Sequence, residues 1–193
     1  METRLLGFYN WVISPIPFFW RFKNIFLKWC GVEVGRAVSI QPGVKICGCG
    51  KLILEDNVIL RSGVYIECSG GNIRIGHDSE VNYGTILSAN ANSNIIVGAN
   101  VRIAHMCSLK CTTHEIDCAS ETRIAGCSVY RDIKIGDGSW LCAGCIILPG
   151  VNVGLRNIIA AGACVIADTN DNVLMCGVPA VVKKKYLSNN ENS

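Results

Sequence analysis

The chain has three histidines, His77, His105 and His114, and the setting of one of them suggests chemistry. His114 lies in Thr112-Thr113-His114-Glu115, where a regular repeat stops and a long irregular stretch begins. An imidazole titrates near neutral pH and is the usual group for taking a proton from a hydroxyl in a transition state. Residues at the mouth of a long loop on a rigid scaffold are where such chemistry concentrates. His114 is the expected general base. Glu115 or Asp117 could orient its ring, as could a backbone carbonyl. His77 and His105 each follow a Gly or Ala at the second place of a repeat unit and read as solvated corner residues, His105 being the better placed to line a groove.

A metal centre is less well supported. Cys47-x-Cys49 and Cys142-x-x-Cys145 have ligand-like spacing, but neither has a matched second pair. The three histidines are spaced 28 and 9 residues apart, which does not suggest convergence on zinc. No metal is expected. The twelve cysteines are scattered through the repeat in slots that would suit Ala, Val or Ser. Met1 to Leu6 carries Glu2 and Arg4, with no secretory leader evident, so free thiols in a reducing cytoplasm are expected.

These residues must be positioned by a six-residue beat. From Ile135 to Cys164 the chain reads IGDGSW, LCAGCI, ILPGVN, VGLRNI, IAAGAC, each unit opening on an aliphatic residue. A period of six is neither helical nor a plain strand alternation, and it marks a parallel β-helix. Aliphatic side chains at the first place fill the core. Cys107 and Cys145, at the fifth place, also point inward and act as small hydrophobes. Coil starts fall at Val34, Leu54, Ile75 and Val97. The beat disappears over residues 115–134 and resumes until about Val165. A structureless stretch of that length in a compact solenoid is usually functional.

The domain reading has three parts. Residues 1–30 form an aromatic, helical segment holding all five Phe and three of the four Trp. Phe22, Ile25, Phe26 and Trp29 follow helical spacing, with Arg21, Lys23, Asn24 and Lys28 on other faces. Such a helix either caps the solenoid or lies on a membrane surface; the apolar run before it is too short to span one. Residues 31–167 are the β-helix with its loop. Residues 168–193 are an extension containing CGVPAVVKKKY and a polar tail expected to be disordered. A formal net charge of +3, with no basic stripe, argues against nucleic acid as a partner. A solenoid face is too flat to enclose a small ligand, so grooves between associated chains are expected to form the site.

The segments VGANVRIAHMCSLKCTTHEI, IGDGSWLCAGCIILPGVNVG, IIAAGACVIAD and CGVPAVVKKKY resemble, in that order, the hexapeptide-repeat acetyltransferases, and among them the sugar O-acetyltransferase branch. The resemblance spans about residues 75–187. It implies an all-β solenoid, a left-handed parallel β-helix assembled as a homotrimer, with acetyl-CoA as co-substrate in a groove between chains. It implies that His114 activates a sugar hydroxyl that attacks the thioester directly. It places Trp140 against the acetyl group, Asn82 on the acceptor, Ala143, Gly144, Ala161 and Gly162 along the pantetheine arm, and Lys183 and Lys184 near the CoA phosphates. Two departures stand out: Ala167 replaces a Lys common in the family, and Leu141-Cys142 replaces the usual Ile-Gly after Trp140. The expected activity is acetyl transfer to a sugar hydroxyl in polysaccharide or glycolipid assembly, in the cytoplasm or at the inner face of its membrane. The alternatives are N-acetylation of an amino sugar nucleotide and a metal-binding, carbonic-anhydrase-like β-helix.

Overall fold

The computed structural model describes residues 2–16, 20–116 and 125–186. The six-residue beat becomes short strands joined by tight corners, and the strands stack into three parallel sheets along a left-handed solenoid. The first sheet runs from Glu33–Val34 through Leu52–Leu54, Asn72–Ile75, Asn94–Val97 and Ile133–Ile135 to Asn152–Val153. The second includes Glu80–Val81, Arg102–Ile103, Trp140–Leu141 and Ile158–Ile159, and ends in an antiparallel hairpin, Val173–Gly177 with Ala180–Lys185. The third includes Ile86–Asn90, Ser108–Lys110 and Ile146–Ile147.

The coil starts read from the sequence are the pairing register. Val34 is opposite Leu54, Leu54 opposite Ile75, and Ile75 opposite Val97. Val97 then pairs with Ile135 across the long insertion, and Ile135 with Val153. Each of these first-place side chains is buried, so the aliphatic rows stack into one continuous core. Cys107 and Cys145 are fully buried, as their place in the hexad requires. At the corner between the second and third sheets, Gly43, Gly63, Gly84, Gly144 and Gly162 all adopt positive φ, a backbone state that carries little cost without a Cβ.

The segment read as a loop, 115–134, contains strand structure. Thr112–Ile116 pairs antiparallel with Ala125–Tyr130, and Ile133 already belongs to the next coil. This hairpin projects from the corner between the third and first sheets. Asn90 Nδ2 donates to Thr112 Oγ1 at 3.0 Å and ties down its base. Residues 117–124, which include Asp117, lie outside the described residues, as does the tail 188–193.

At the N-terminal end two helices, α1 (Glu2–Phe8) and α2 (Trp20–Trp29), and a π-turn (Tyr9–Ile13) cover the first coil. An uncovered coil would present unpaired backbone groups. Asn10 acts as a surrogate strand, accepting from the Ile46 N–H at 2.9 Å and donating to the Ile46 carbonyl at 2.7 Å. Asn24 donates to the Val38 carbonyl at 2.8 Å, and the Ser14 hydroxyl to that of Val44. These bonds orient α2. Its inward side is Lys23 and Leu27, followed by Cys30, whereas Phe22, Ile25 and Trp29 of the expected packing face are exposed.

Candidate active site

His114 lies on the outgoing strand of the loop hairpin, opposite Ser128, and is exposed. Immediately after it the register shifts: Ile116 pairs with Ala125, so Glu115 faces two residues, Gly126 and Cys127, on the returning strand. A bulge of this kind re-aims the neighbouring side chains and is over-represented beside active sites. Glu115 is exposed next to the imidazole in sequence.

The other expected site residues gather on the second sheet and at its corner with the third. Trp140 points outward, 50% exposed, in register between Arg102 and Ile158. Beyond it the same row continues through Leu174 to Lys184. Lys184 is thus three rungs from Trp140, about 14 Å at the usual strand spacing. Its ammonium lies 5.0 Å from the centre of the Tyr186 ring. Lys183 is on the same outer strand and is exposed.

The corner column is the most regular part of the site. The Gly162 N–H donates to the Ala143 carbonyl at 2.9 Å, and the Gly144 N–H to the His105 carbonyl at 2.9 Å. Ala143–Gly144 and Ala161–Gly162 therefore form two steps of one stair. The two alanines are exposed and the glycines are held at φ 74° and 69°. With no side chain beyond a methyl, this stair lets an extended ligand approach the backbone.

One step lower the stair changes character. Tyr83 and His105 occupy the same corner position in the two preceding coils, and their rings stack at 5.4 Å with planes 8° apart. Met106 takes the place that Gly fills elsewhere in the column, with φ 59° and 69% exposure. Asn82 begins this corner and donates its side-chain amide to the Ile103 carbonyl at 3.2 Å. Sequence reading reached His105 but not the stack, because its partner is 22 residues away; the signal available was an aromatic at the third place of one hexad followed by imidazole one coil later.

Within one chain these groups do not all meet. The Ala143 stair and the His114 hairpin spring from different corners, separated by the width of the third sheet, about 13 Å for four extended residues. His77 is on the remaining corner, its Nδ1 2.7 Å from Asp78 Oδ2. That carboxylate holds the imidazole above its ordinary pKa, and neighbouring Glu55 adds to the effect. Among the described residues no group of three or more His, Cys, Asp or Glu side chains is arranged to hold a metal ion.

The fold is found in solved structures. A maltose O-acetyltransferase from Clostridium difficile superposes with a TM-score of 0.70 at 23% identity, over 97% of this chain and 85% of that one. A hexapeptide-repeat acetyltransferase from Vibrio cholerae, solved with acetyl-CoA, gives 0.68 at 19% identity, over 97% and 88%. No protein-family model matches the chain. Among sequence relatives, a Saccharomyces cerevisiae protein provisionally named an acetyltransferase is 35% identical over 67% of this chain and 64% of its own length. The galactoside O-acetyltransferase of Lactococcus lactis is 30% identical over 68% and 62%. The chain has the fold of the hexapeptide-repeat acetyltransferases and is similar in sequence to acetyltransferases. Two of the relatives, from Lactococcus lactis and Escherichia coli, are galactoside O-acetyltransferases. WcaF of Escherichia coli, provisionally named a colanic acid biosynthesis acetyltransferase, aligns over 92% of the chain and 85% of itself at 28% identity. The matches to the first two relatives span a little under two thirds of their lengths.

Proposed function

We propose that this hexapeptide-repeat protein transfers an acetyl group from acetyl-CoA to a sugar hydroxyl, and that it does so as a homotrimer with sites between neighbouring chains. The observation that carries the reading is the separation of its two halves. The smooth stair of Ala143, Gly144, Ala161 and Gly162 and the exposed His114 on its bulged hairpin root at different corners of one solenoid. A neighbour supplying the second half completes the site. The names of similar proteins, a galactoside O-acetyltransferase, a maltose O-acetyltransferase and a provisionally named colanic acid biosynthesis acetyltransferase, support a sugar acceptor.

In this reading the pantetheine arm lies along the stair and Trp140 walls the acetyl group. Lys183 and Lys184 face the CoA phosphates, and Asn82 meets the acceptor. His114 takes the proton of the acceptor hydroxyl as its oxygen attacks the thioester carbonyl. The C–S bond then breaks, the proton passes from the imidazole to the departing thiolate, and the products are acetylated sugar and free CoA. In this reading Glu115, next to His114 in the chain, is a candidate to orient the imidazole, as is Asp117 or a backbone carbonyl. The WcaF likeness supports an acceptor on the way to a surface polysaccharide.

Calorimetry with acetyl-CoA, on wild type and His114→Ala, tests this reading together with chromatographic detection of CoA release. Binding by both proteins with turnover on a sugar pool in wild type alone is the expected result. Near-normal turnover in His114→Ala with an amino sugar would assign the acceptor as an amine. Loss of binding in both would overturn the donor assignment.

A further inference from the structure

The largest departure from an ordinary protein surface is at the N-terminal end, away from the stair. Phe22, Ile25 and Trp29 project from α2 at 53%, 52% and 77% exposure. Phe8, Trp11, Val12 and Ile16 project from the segment before it, Trp11 at 85%. Phe26 joins the two groups, its ring 6.0 Å from that of Phe8 and 6.4 Å from the buried Tyr9. Together the exposed side chains present on the order of 800 Å² of apolar surface, above the few hundred Å² that monomeric proteins usually leave uncovered.

This surface is not an unfinished core. The inward side of the same helices is already satisfied by Leu6, Tyr9, Ile13 and Leu27 and by the bonds from Asn10, Ser14 and Asn24 to the first coil. The orientation is fixed by those polar contacts, so the aromatic face is held outward. Its composition is that of an interfacial segment, with exposed Trp and Phe accompanied by the exposed cations Arg4 and Lys28. The first thirty residues carry four basic residues against one acid, Glu2; Arg4 and Lys28 are exposed and Lys23 is turned inside.

We infer that this face docks on the surface of an anionic lipid bilayer. Positive charge around the aromatics complements acidic headgroups, and the Trp rings suit the boundary between headgroup and acyl chain. A second copy meeting the same face across a two-fold axis would set these cations against their own counterparts. No described helix is long and apolar enough to cross a membrane, so the contact is peripheral. It brings the catalytic end of the chain to within one solenoid length of the lipid, where lipid-linked sugars would be met.

The test is flotation of the full chain with phosphatidylcholine vesicles, with and without phosphatidylglycerol. Wild type should float with the anionic vesicles and be released by salt. Phe22→Glu/Ile25→Glu and, separately, Trp11→Ser/Trp29→Ser should each reduce partitioning at least tenfold, as expected when large apolar side chains no longer enter the interface. Far-ultraviolet circular dichroism and thermal melts confirm that the variants fold, since the altered side chains are exposed. Absence of wild-type binding, or equal binding by the variants, would overturn the inference. A fall in sedimenting mass in the glutamate variant, with no vesicle binding by wild type, would assign the face to a contact between copies instead. No turnover enters these readouts, so they are independent of the acyl-transfer reading.

Discussion

The ring of Tyr83 lies flat against the ring of His105, 5.4 Å apart and 8° from parallel, one coil below the stair of small residues that ends at Ala143. The Met106 N–H donates to the Tyr83 carbonyl at 2.9 Å, which keeps the two corners in step. If the pantetheine arm follows the stair, this stack is where the smooth track ends and the acceptor begins. Replacing His105 by Ala should raise the acceptor KM about 2–10-fold, the value of one aromatic contact, and leave the acetyl-CoA KM unchanged. Equal changes in both constants would place the stack elsewhere.

Met106 interrupts a column of glycines. At φ 59° it sits in a region that costs an L-residue about 1–2 kcal/mol, and 69% of its surface is exposed, so packing returns little of that cost. Met106→Gly should raise stability by about 0.5–1 kcal/mol in urea melts. Gly144→Ala, one coil on at φ 74°, should lower it by about 1 kcal/mol. Opposite signs at equivalent places would show that backbone strain governs this corner. A loss at both would mean that Met106 is held by contacts.

The repeat could be read from the sequence because one physical requirement, an aliphatic side chain pointing inward at the start of each hexad, is visible in it. That requirement gave Val34, Leu54, Ile75 and Val97 as coil starts, and they are Cα partners. Nothing so simple governs the N-terminal helix. Its aromatic spacing named Phe22, Ile25, Phe26 and Trp29 as one face, but the bonds of Asn10, Ser14 and Asn24 to the first coil determine which face turns in. The insertion was legible as a break in the beat. Its hairpin was not, because Thr112–Ile116 pairs with Ala125–Tyr130 and carries no strong alternation. The Tyr83–His105 stack follows the coil register, but the hexad pattern does not specify how side chains at the third place orient, so the ring geometry was not legible.

The cysteines should fall into two classes. Cys68, Cys107, Cys111 and Cys145 are buried, whereas Cys49 and Cys127 are exposed. Burial pushes the Cys68 thiol up to about 12. Cys145 is raised further, chiefly by its hydrogen bond with Cys107 and then by burial. Burial also raises Cys111, whereas the hydrogen bond with Cys145 lowers Cys107, which is shielded by its complete burial instead. The thiolate is the reactive form and needs access, so these four side chains should be inert in the folded protein. Mass spectrometry after brief alkylation should find Cys49 and Cys127 modified and these four intact until denaturant is added. Rapid native-state labelling of Cys145 would mean that the solenoid opens locally there.

Lys23 is a buried cation of the helical cap. Its ammonium donates to the Ser14 carbonyl at 2.9 Å, and that carbonyl also accepts from the Gly43 N–H at 3.2 Å. Removing the ammonium therefore does not orphan the acceptor. Lys23→Met, which keeps the volume, should stay within about 1 kcal/mol of wild type near neutral pH, while Lys23→Ala should cost about 2 kcal/mol or more for the cavity. Desolvation holds the Lys23 pKa below its ordinary value of 10.5. In the alkaline window between the folded and unfolded values, the unfolded chain binds more protons than the native one. Wild type should therefore gain stability relative to Lys23→Met as pH rises toward 10.5, and the difference should be flat near neutrality, where both states are protonated. Urea melts of the two proteins at about pH 7 and about pH 10 measure it. A shift in the opposite direction would mean that the ammonium is better solvated in the fold than in the unfolded chain.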